Sequence, residues 1–375
     1  MKNVMKLGIV GWRGMVGQVL MDRMLSEGDF NHFETIFFTT SNKGGTHPFQ
    51  IKNANPTLAD AFDIDQLKQM DIILTCQGGD YTKEVFPKLK SAGFKGYWID
   101  AASALRMEKE STIILDPVNG GSIKDALVNS QTEFIGGNCT VSLMLLGLGG
   151  LFKAGAIEWM TSMTYQAASG GGARHMNELL AQMKFFTNDV MSESTQLSDK
   201  ILSVEKRVTS LMNDPKFPRD QFGQSLACSL LPWIDVDLEQ GQSKEEWKAA
   251  SEGNKILGSK TFIPIDGLCV RVSSMRCHAQ ALTIKLNKNL PLDEIEGMLA
   301  EHNPWCKVVP NNKVESLKFL TPAYASGKLE IPIGRLRKMN MGDQYLSAFT
   351  LGDQLLWGAA EPLRRMLHII LDFKK

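Results

Sequence analysis

Along the first third of the chain, short apolar runs alternate with stretches of helical spacing. Val4–Val10, Thr35–Thr40, Asp71–Cys76, Tyr97–Ala101 and Thr112–Leu115 predict strands, and Met15–Ser26 and Tyr81–Ser91 predict helices. Buried strands separated by helices predict a mostly parallel sheet covered on both faces. Ligands of such sheets bind beyond the carboxyl ends of the strands, so chemistry is sought just after each run. From about residue 155 the pattern changes. Glu158–Ala168 predicts a strand, and Ile201–Met212 and Glu245–Ile256 predict helices. Phe262–Ile265, Cys269–Ser274 and Ala279–Leu286 predict strands with no helix between them. That is the signature of an α+β domain with a mainly antiparallel sheet. The tail Gln354–Ile370 has amphipathic spacing with Pro362 inside or at its start. It is expected to pack back on the first domain and make that domain discontinuous.

Composition narrows the function classes. The 375 residues hold 41 Lys+Arg and 41 Asp+Glu, so no basic field exists to hold nucleic acid or anionic lipid. Hydrophobic residues are 43% and charged residues 22%, which excludes a disordered chain and leaves ample core for two domains. The longest apolar stretch, VSLMLLGLGGLF at 141–152, is too short to span a membrane, and the first residues have no signal-peptide pattern. A soluble, cytoplasmic protein with no membrane partner is expected. The six cysteines show no C-x-x-C spacing, so neither a metal site nor a dithiol couple is expected, and most should be small buried hydrophobes.

The segment GIVGWRGMVG puts Gly8, Gly11, Gly14 and Gly17 between a predicted strand and a predicted helix. Glycines there permit a tight turn and close approach of backbone N–H groups to a pyrophosphate at a helix N-terminus. The spacing is G-x-x-G-x-x-G, which also suits a turn that only packs a helix on a sheet. The strand–turn–helix setting favours nucleotide binding. The second strand ends in Thr39, Thr40 and Ser41, followed by Asn42 and Lys43, with no Asp or Glu for a ribose 2′-hydroxyl. With Arg13 at hand, this predicts room for a 2′-phosphate, hence NADP(H) rather than NAD.

Cys139, in GGNCT, precedes an apolar helical run. A cysteine at a helix start sits where the helix field and free N–H groups favour a thiolate and an oxyanion. A base is needed, and His278 and His175 both qualify by their surroundings; periodicity does not choose between them.

The chain resembles the aspartate-β-semialdehyde dehydrogenases of the Gram-negative bacterial type. The matching stretches are GWRGMVG, TCQGGDYT, GYWIDAAS, LRM, ILDPVN, GGNCTVSLM, TYQAASGGGARHM, EEWK, NKIL, PIDGLCVRV, RCHAQA, HNPW, PIGRLRKMNMG and DQLLWGAAEPLRRM. They run in one order from near residue 8 to near 366. The resemblance implies a glyceraldehyde-3-phosphate-dehydrogenase-like architecture, α/β plus α+β: a Rossmann-like NADP-binding domain (1–138 plus the helix 355–375) and a sheet-rich catalytic and dimerisation domain (139–354). It implies a homodimer that reversibly converts aspartate semialdehyde, NADP and phosphate to 4-aspartyl phosphate and NADPH. In the cell the reaction would run reductively, towards lysine, diaminopimelate, methionine and threonine. It implies Cys139 as the acyl-forming nucleophile and His278 as acid/base, against His175. Gln166 would orient the substrate or acyl group, Arg271 and Glu245 would bind its carboxylate and amino group, and Arg106 and Lys248 would bind phosphate. Arg13, Gly14, Met15, Val16, Thr40, Ser41, Gln77, Ser169, Gly170 and Gln354 fall on cofactor-contact positions. Relatives place a cofactor-touching proline near 191–199; MSESTQLSD has none, so no role is carried there. Three alternatives stay open: another phosphorylating acyl dehydrogenase such as an N-acetyl-glutamyl-phosphate reductase, a thiol hydrolase, and a non-catalytic dinucleotide sensor.

Overall fold

The computed structural model describes residues 4–190 and 201–375, so the segment 191–199 lies outside the described residues. Among the described residues the first sheet has seven strands: β1 (Met5–Val10), β2 (Phe33–Thr39), β3 (Ala59–Asp60), β4 (Ile72–Thr75), β5 (Tyr97–Asp100), β6 (Ser111–Ile114) and β7 (Glu133–Gly136). Their order is β3-β2-β1-β4-β5-β7-β6, and every pairing is parallel. Every residue of β4, β5 and β7 is buried, because helices cover both faces. On one face lie α1 (Met15–Ser26), α4 (Asp116–Val128) and the C-terminal α12 (Glu361–Phe373), through Leu20, Met24, Ile123, Leu363 and Met366. On the other lie α2 (Ile64–Leu67) and α3 (Gly79–Ser91), through Leu67, Val85, Phe86 and Leu89.

The tail does return to the first domain. Leu363, Met366, Leu367 and Ile370 follow the i, i+3, i+4, i+7 spacing and are fully buried there. At roughly 1.5–3 kcal/mol each, these four side chains anchor the helix firmly. Pro362 sits in its first turn, where a missing N–H costs nothing. A π-helical turn, Leu356–Ala360, leads in. Arg364 bridges Asp29 (3.1 Å) and Glu361 (2.9 Å), locking α12 to the 3-10 turn Asp29–His32 that follows α1.

The second sheet has eight strands among the described residues: β8 (Ile157–Gln166), β9 (Leu230–Leu231), β10 (Ile265–Asp266), β11 (Cys269–Val272), β12 (His278–Leu286), β13 (Cys306–Val308), β14 (Ile331–Met339) and β15 (Gly342–Gly352). The order is β13-β14-β15-β12-β8-β11-β9, with β10 also on β8. The four long strands β14, β15, β12 and β8 are antiparallel neighbours, as expected. The sheet as a whole is mixed, because β10 and β11 run parallel to β8 and β13 runs parallel to β14. The expected strand Phe262–Ile265 shrinks to β10, since of its residues only Pro264, through its carbonyl, and Ile265 meet β8 and Phe262 is exposed.

One face of this sheet carries α5 (Cys139–Lys153), α8 (Lys244–Leu257) and α9 (Leu292–His302) over a core of Leu143, Leu146, Ile256, Ile284, Leu299 and Leu346. α6 (Ala173–Val190) and α7 (Ile201–Met212) form a separate cluster around Leu179, Phe186 and Leu211. The short helices α10 (Lys313–Phe319) and α11 (Pro322–Ala325) bridge β13 and β14. No helix among the described residues is long and apolar enough to cross a membrane, and none of their His, Cys, Asp and Glu side chains form a metal-holding group. Of the six cysteines, most of which were expected to be buried, Cys269, Cys277 and Cys306 are buried, Cys76 and Cys139 are half-buried, and Cys228 is exposed on a loop at φ 59°.

Candidate active site

The glycine turn is built for close approach. Gly11 has φ +77°, and a Cβ there would stand 2.4 Å from Gln77 N; one on Gly17 would stand 2.2 Å from Gly11 O. The turn therefore lies flush against the end of β4, and the N-terminus of α1 opens beside it. Gly11, Arg13, Gly14, Thr40 and Gln77 line a cavity of about 270 Å³ there. Arg13 Nη2 donates to the Thr39 and Ser41 hydroxyls, both at 2.8 Å, and forms no salt bridge among the described residues. A guanidinium held by hydroxyls, in a cavity whose lining residues include no carboxylate, fits a 2′-phosphate. Lys43 instead points to Asp60 at 3.4 Å on the surface.

A second cavity, of about 540 Å³, lies where the two domains meet, and Met15, Val16, Arg106, Cys139, Gln166, Ser169, Gly170, Glu245, Lys248, Arg271 and Gln354 all line it. They arrive on several different elements. Cys139 is the first residue of α5, and Asn138 caps that helix by accepting from Thr140 N (2.9 Å) and Val141 N (3.1 Å). The cap takes two of the N–H groups expected to be free for an oxyanion, and leaves that of Cys139 itself. Glu245 and Lys248 ride on α8, which begins with a capping box between Ser243 and Glu246. Gln166 ends β8 and stands in register with Arg271 on β11. Arg106 comes from the turn after β5.

Two of the three cations at the cavity are matched by carboxylates and one is not. Lys248 Nζ meets Glu245 (2.8 Å) and Asp235 (2.7 Å). Arg106 Nη1 meets Glu252 at 3.0 Å, and its Nε donates to Gly136 O at 2.7 Å. Arg271, only 8% exposed, donates from Nη1 to Ala167 O at 2.8 Å and has no salt bridge among the described residues. Glu245 accepts from Lys248, Asn138 Nδ2 (3.1 Å) and Gln166 Nε2 (3.2 Å). Burial pushes the Glu245 carboxyl up, but Lys248 and these amides outweigh it and hold it below the usual range.

Cys139 departs from expectation. Burial, reinforced by Glu245, pushes its thiol up to about 12, despite Lys248, Arg271 and Arg106 nearby. Burial thus outweighs the helix start and favours the thiol. His278 is 0% exposed; burial and then Arg271 push it down to about 3, so its ring is neutral. Its Nδ1 accepts from Ala167 N at 3.0 Å, which puts the proton of the neutral ring on Nε2. Nε2 has no partner and lies under Gly170, where a Cβ would come within 2.8 Å of it. His175 sits under the next residue, Gly171, and packs on Phe222.

The Gln354 side chain is engaged within the protein: its Oε1 accepts from Cys277 N (2.8 Å), and its Nε2 donates to Ser169 Oγ. It thus ties the loop before His278 to the loop beneath the cavity.

The chain matches the family model of the semialdehyde dehydrogenase NAD binding domain over residues 6–126 and that of the dimerisation domain over 148–357. Its structure is similar to an aspartate semialdehyde dehydrogenase from Francisella tularensis: 50% identity, TM-score 0.94, covering 98% of this chain and 100% of that one. The chain belongs to the aspartate semialdehyde dehydrogenase family. It is an oxidoreductase of that family. The same fold recurs at 22% identity and TM-score 0.80 in the Vibrio cholerae aspartate semialdehyde dehydrogenase II complexed with ASA, each chain covered to 99%. It recurs at 16% identity and TM-score 0.65 in the Candida albicans aspartate semialdehyde dehydrogenase with NADP, again over 99% of both chains.

Sequence reasoning missed four residues of this family site. Asn138 was readable as a cap before an apolar helix. Glu252 stands at i+7 from Glu245 and i+4 from Lys248, one helical face. Asp235 sits on a loop at φ 74°, and no sequence signal ties it to Lys248. Gly358 touches Cys139, since a Cβ there would stand 2.6 Å from Cys139 Cβ. A glycine inside a helical run gave a hint of close packing, without naming the neighbour.

Proposed function

We propose that the chain interconverts aspartate 4-semialdehyde and 4-aspartyl phosphate, with phosphate and NADP(H), through a thioester on Cys139. The reading rests above all on the gathering of Cys139, Gln166, Arg271, Glu245, Arg106 and Lys248 around one cavity. Arg13, Gly14, Met15, Val16, Thr40, Ser41, Gln77, Ser169, Gly170 and Gln354 would hold the dinucleotide. When bound, the cofactor accepts or supplies the hydride at the carbonyl carbon.

Arg271, the buried cation without a carboxylate partner, binds the substrate carboxylate in bidentate fashion. Glu245 receives the substrate ammonium. That ammonium offsets the carboxylate charge that helps hold Cys139 protonated, so substrate binding itself favours the thiolate. In the oxidative direction the sulfur adds to the aldehyde carbon and the oxygen gains a proton, giving a hemithioacetal. As the C–H electron pair departs as hydride, the ring proton of His278 shifts from Nε2 to Nδ1, releasing Ala167 N, Nε2 takes the hydroxyl proton, and the thioester carbonyl forms. Gln166 orients the acyl group. Phosphate, gripped by Arg106 and by Lys248 swung from the half-exposed Asp235, attacks the carbonyl carbon. The C–S bond breaks, the thiolate leaves, and His278 returns a proton to it. The reverse sequence reduces the acyl phosphate, the direction that feeds lysine, diaminopimelate, methionine and threonine synthesis.

We place the division between domains at 1–138 with 355–375 for the cofactor and 139–354 for catalysis and dimerisation, the packing of α12 on the first sheet supporting the discontinuity. The partner is a second copy of the chain, and the compartment is the cytoplasm. The test is NADP reduction by the purified protein with aspartate semialdehyde, with and without phosphate, beside N-acetyl-glutamate semialdehyde. Phosphate-dependent reduction with the aspartyl substrate alone supports the reading. Preference for the N-acetylated aldehyde, which has no ammonium for Glu245, overturns it.

A further inference from the structure

Glu252 has no role in the chemistry above, yet it is 2% exposed in the wall behind the cavity. It lies on the face of α8 that carries Glu245 and Lys248. Its two oxygens serve different masters. Oε1 accepts from Arg106 Nη1 at 3.0 Å, and Oε2 accepts from Asn138 N at 2.9 Å. Arg106 in turn donates from Nε to Gly136 O at 2.7 Å. The hydrogen bonds close a ring, Gly136 to Arg106 to Glu252 to Asn138, around the turn that ends at Cys139.

We propose that Glu252 is a positioning residue that fixes the Arg106 guanidinium against the nucleophile's turn and so governs the phosphate half of the reaction. This rests on Arg106 as a phosphate ligand. Both partners of Glu252 are donors, so only a group with two acceptor oxygens meets them both. A carboxylate also compensates a guanidinium that is otherwise buried in charged form. Glutamine has one acceptor and one donor. The Asn138 N–H belongs to a capped helix start and does not move, so the amide oxygen stays with it. The amide NH₂ then confronts the Arg106 guanidinium, donor against donor, and that side chain swings away. Loss of orientation at Arg106 is therefore selective: the phosphate step suffers and the acylation step does not.

The experiment compares full-length wild type, Glu252→Gln, Arg106→Leu and the double variant. The first NADPH burst, without phosphate, reads acylation; steady-state rates with phosphate varied read the second half. Expected for Glu252→Gln is a fall of about tenfold to a hundredfold in kcat/KM for phosphate, the loss of one charge-assisted hydrogen bond, with the burst changed less than threefold. Expected in the double variant is no further loss beyond Arg106→Leu. A folded Glu252→Gln protein with unchanged phosphate kinetics overturns the proposal, as do equal losses in both steps or additive effects. If Arg106→Leu leaves phosphate kinetics intact, the phosphate assignment itself fails, and the proposal with it. Should Glu252→Gln not fold, Glu252→Asp, which keeps two oxygens but falls short of both partners, carries the same comparison.

Discussion

Replacing Arg271 with leucine should remove recognition of one substrate group and little else. Of the three cations around Cys139, Arg106 and Lys248 are matched by Glu252, Glu245 and Asp235, and Arg271 alone has no salt bridge among the described residues. It is already desolvated at 8% exposure, so an arriving carboxylate adds attraction without a further burial cost on the arginine. Its Nη1 is held by Ala167 O, which leaves the Nε and Nη2 edge for a fork on a carboxylate. A hydrogen bond to a charged group contributes roughly 1.5–3 kcal/mol. Two such bonds, weakened by sharing one carboxylate, suggest about 3–4 kcal/mol, or roughly a 10²–10³-fold fall in kcat/KM. The leucine variant also loses the Ala167 contact, so the comparison needs a second axis. 3-Aminopropanal is the substrate without its carboxylate. Wild type should prefer aspartate semialdehyde over it by that same factor, and the Arg271→Leu protein should barely distinguish them. The assay is initial NADPH formation with each aldehyde at saturating phosphate. A leucine variant that keeps the wild-type preference would refute the assignment.

Three further outcomes follow from the same geometry. Cys139, pushed up to about 12, should be alkylated by iodoacetamide at a rate that rises with each pH unit from 7 to 9. Peptide mass spectrometry reads it, and a plateau below pH 8 in the protein without substrate would show an activated thiolate; Glu245→Gln should speed the reaction at fixed pH by removing the charge that opposes ionisation. Gly170→Ala puts a methyl group 2.8 Å from His278 Nε2 and 2.7 Å from Arg271 Nη1, so kcat should drop while the protein stays folded by circular dichroism. The expected loss is about 10²–10⁴-fold, the usual contribution of a proton-transfer group; normal turnover would place the acid/base elsewhere. Arg13→Gln should reduce the ratio of NADP to NAD efficiency by about tenfold or more, one charge-assisted contact, and an unchanged ratio would move 2′-phosphate recognition away from Arg13.

What could be read from the sequence was what depends on near neighbours. The parallel first sheet followed from buried strands alternating with helices, and the returning tail from the spacing of Leu363, Met366, Leu367 and Ile370. β14 and β15 escaped because IPIGRLRKM breaks its apolar alternation with a glycine and basic residues, and its place is set by pairing with β15 and β13. The parallel edges of the second sheet escaped for the same reason, since register depends on partners far along the chain. α9 was passed over beside the more conspicuous strands before it. The site residues came from the family resemblance; bottom-up reasoning reached Cys139 but left His278 and His175 tied. What separates them physically is company: His278 shares its contact at Gly170 with Arg271 of the cavity wall, whereas His175, which also has an unpartnered ring nitrogen under a glycine, packs on Phe222. The state of Cys139 was misjudged because a helix start is a local feature, whereas burial and Glu245, more than a hundred residues away, are not.

The account stands most directly on a covalent acyl group at Cys139. Aspartate semialdehyde and NADP, mixed with the protein in the absence of phosphate and quenched in acid, should leave an aspartyl thioester on the peptide containing Cys139, matched one to one by the NADPH formed. Added phosphate should discharge it as acyl phosphate. NADPH formed with no adduct on Cys139, or an adduct on another residue, would contradict the account.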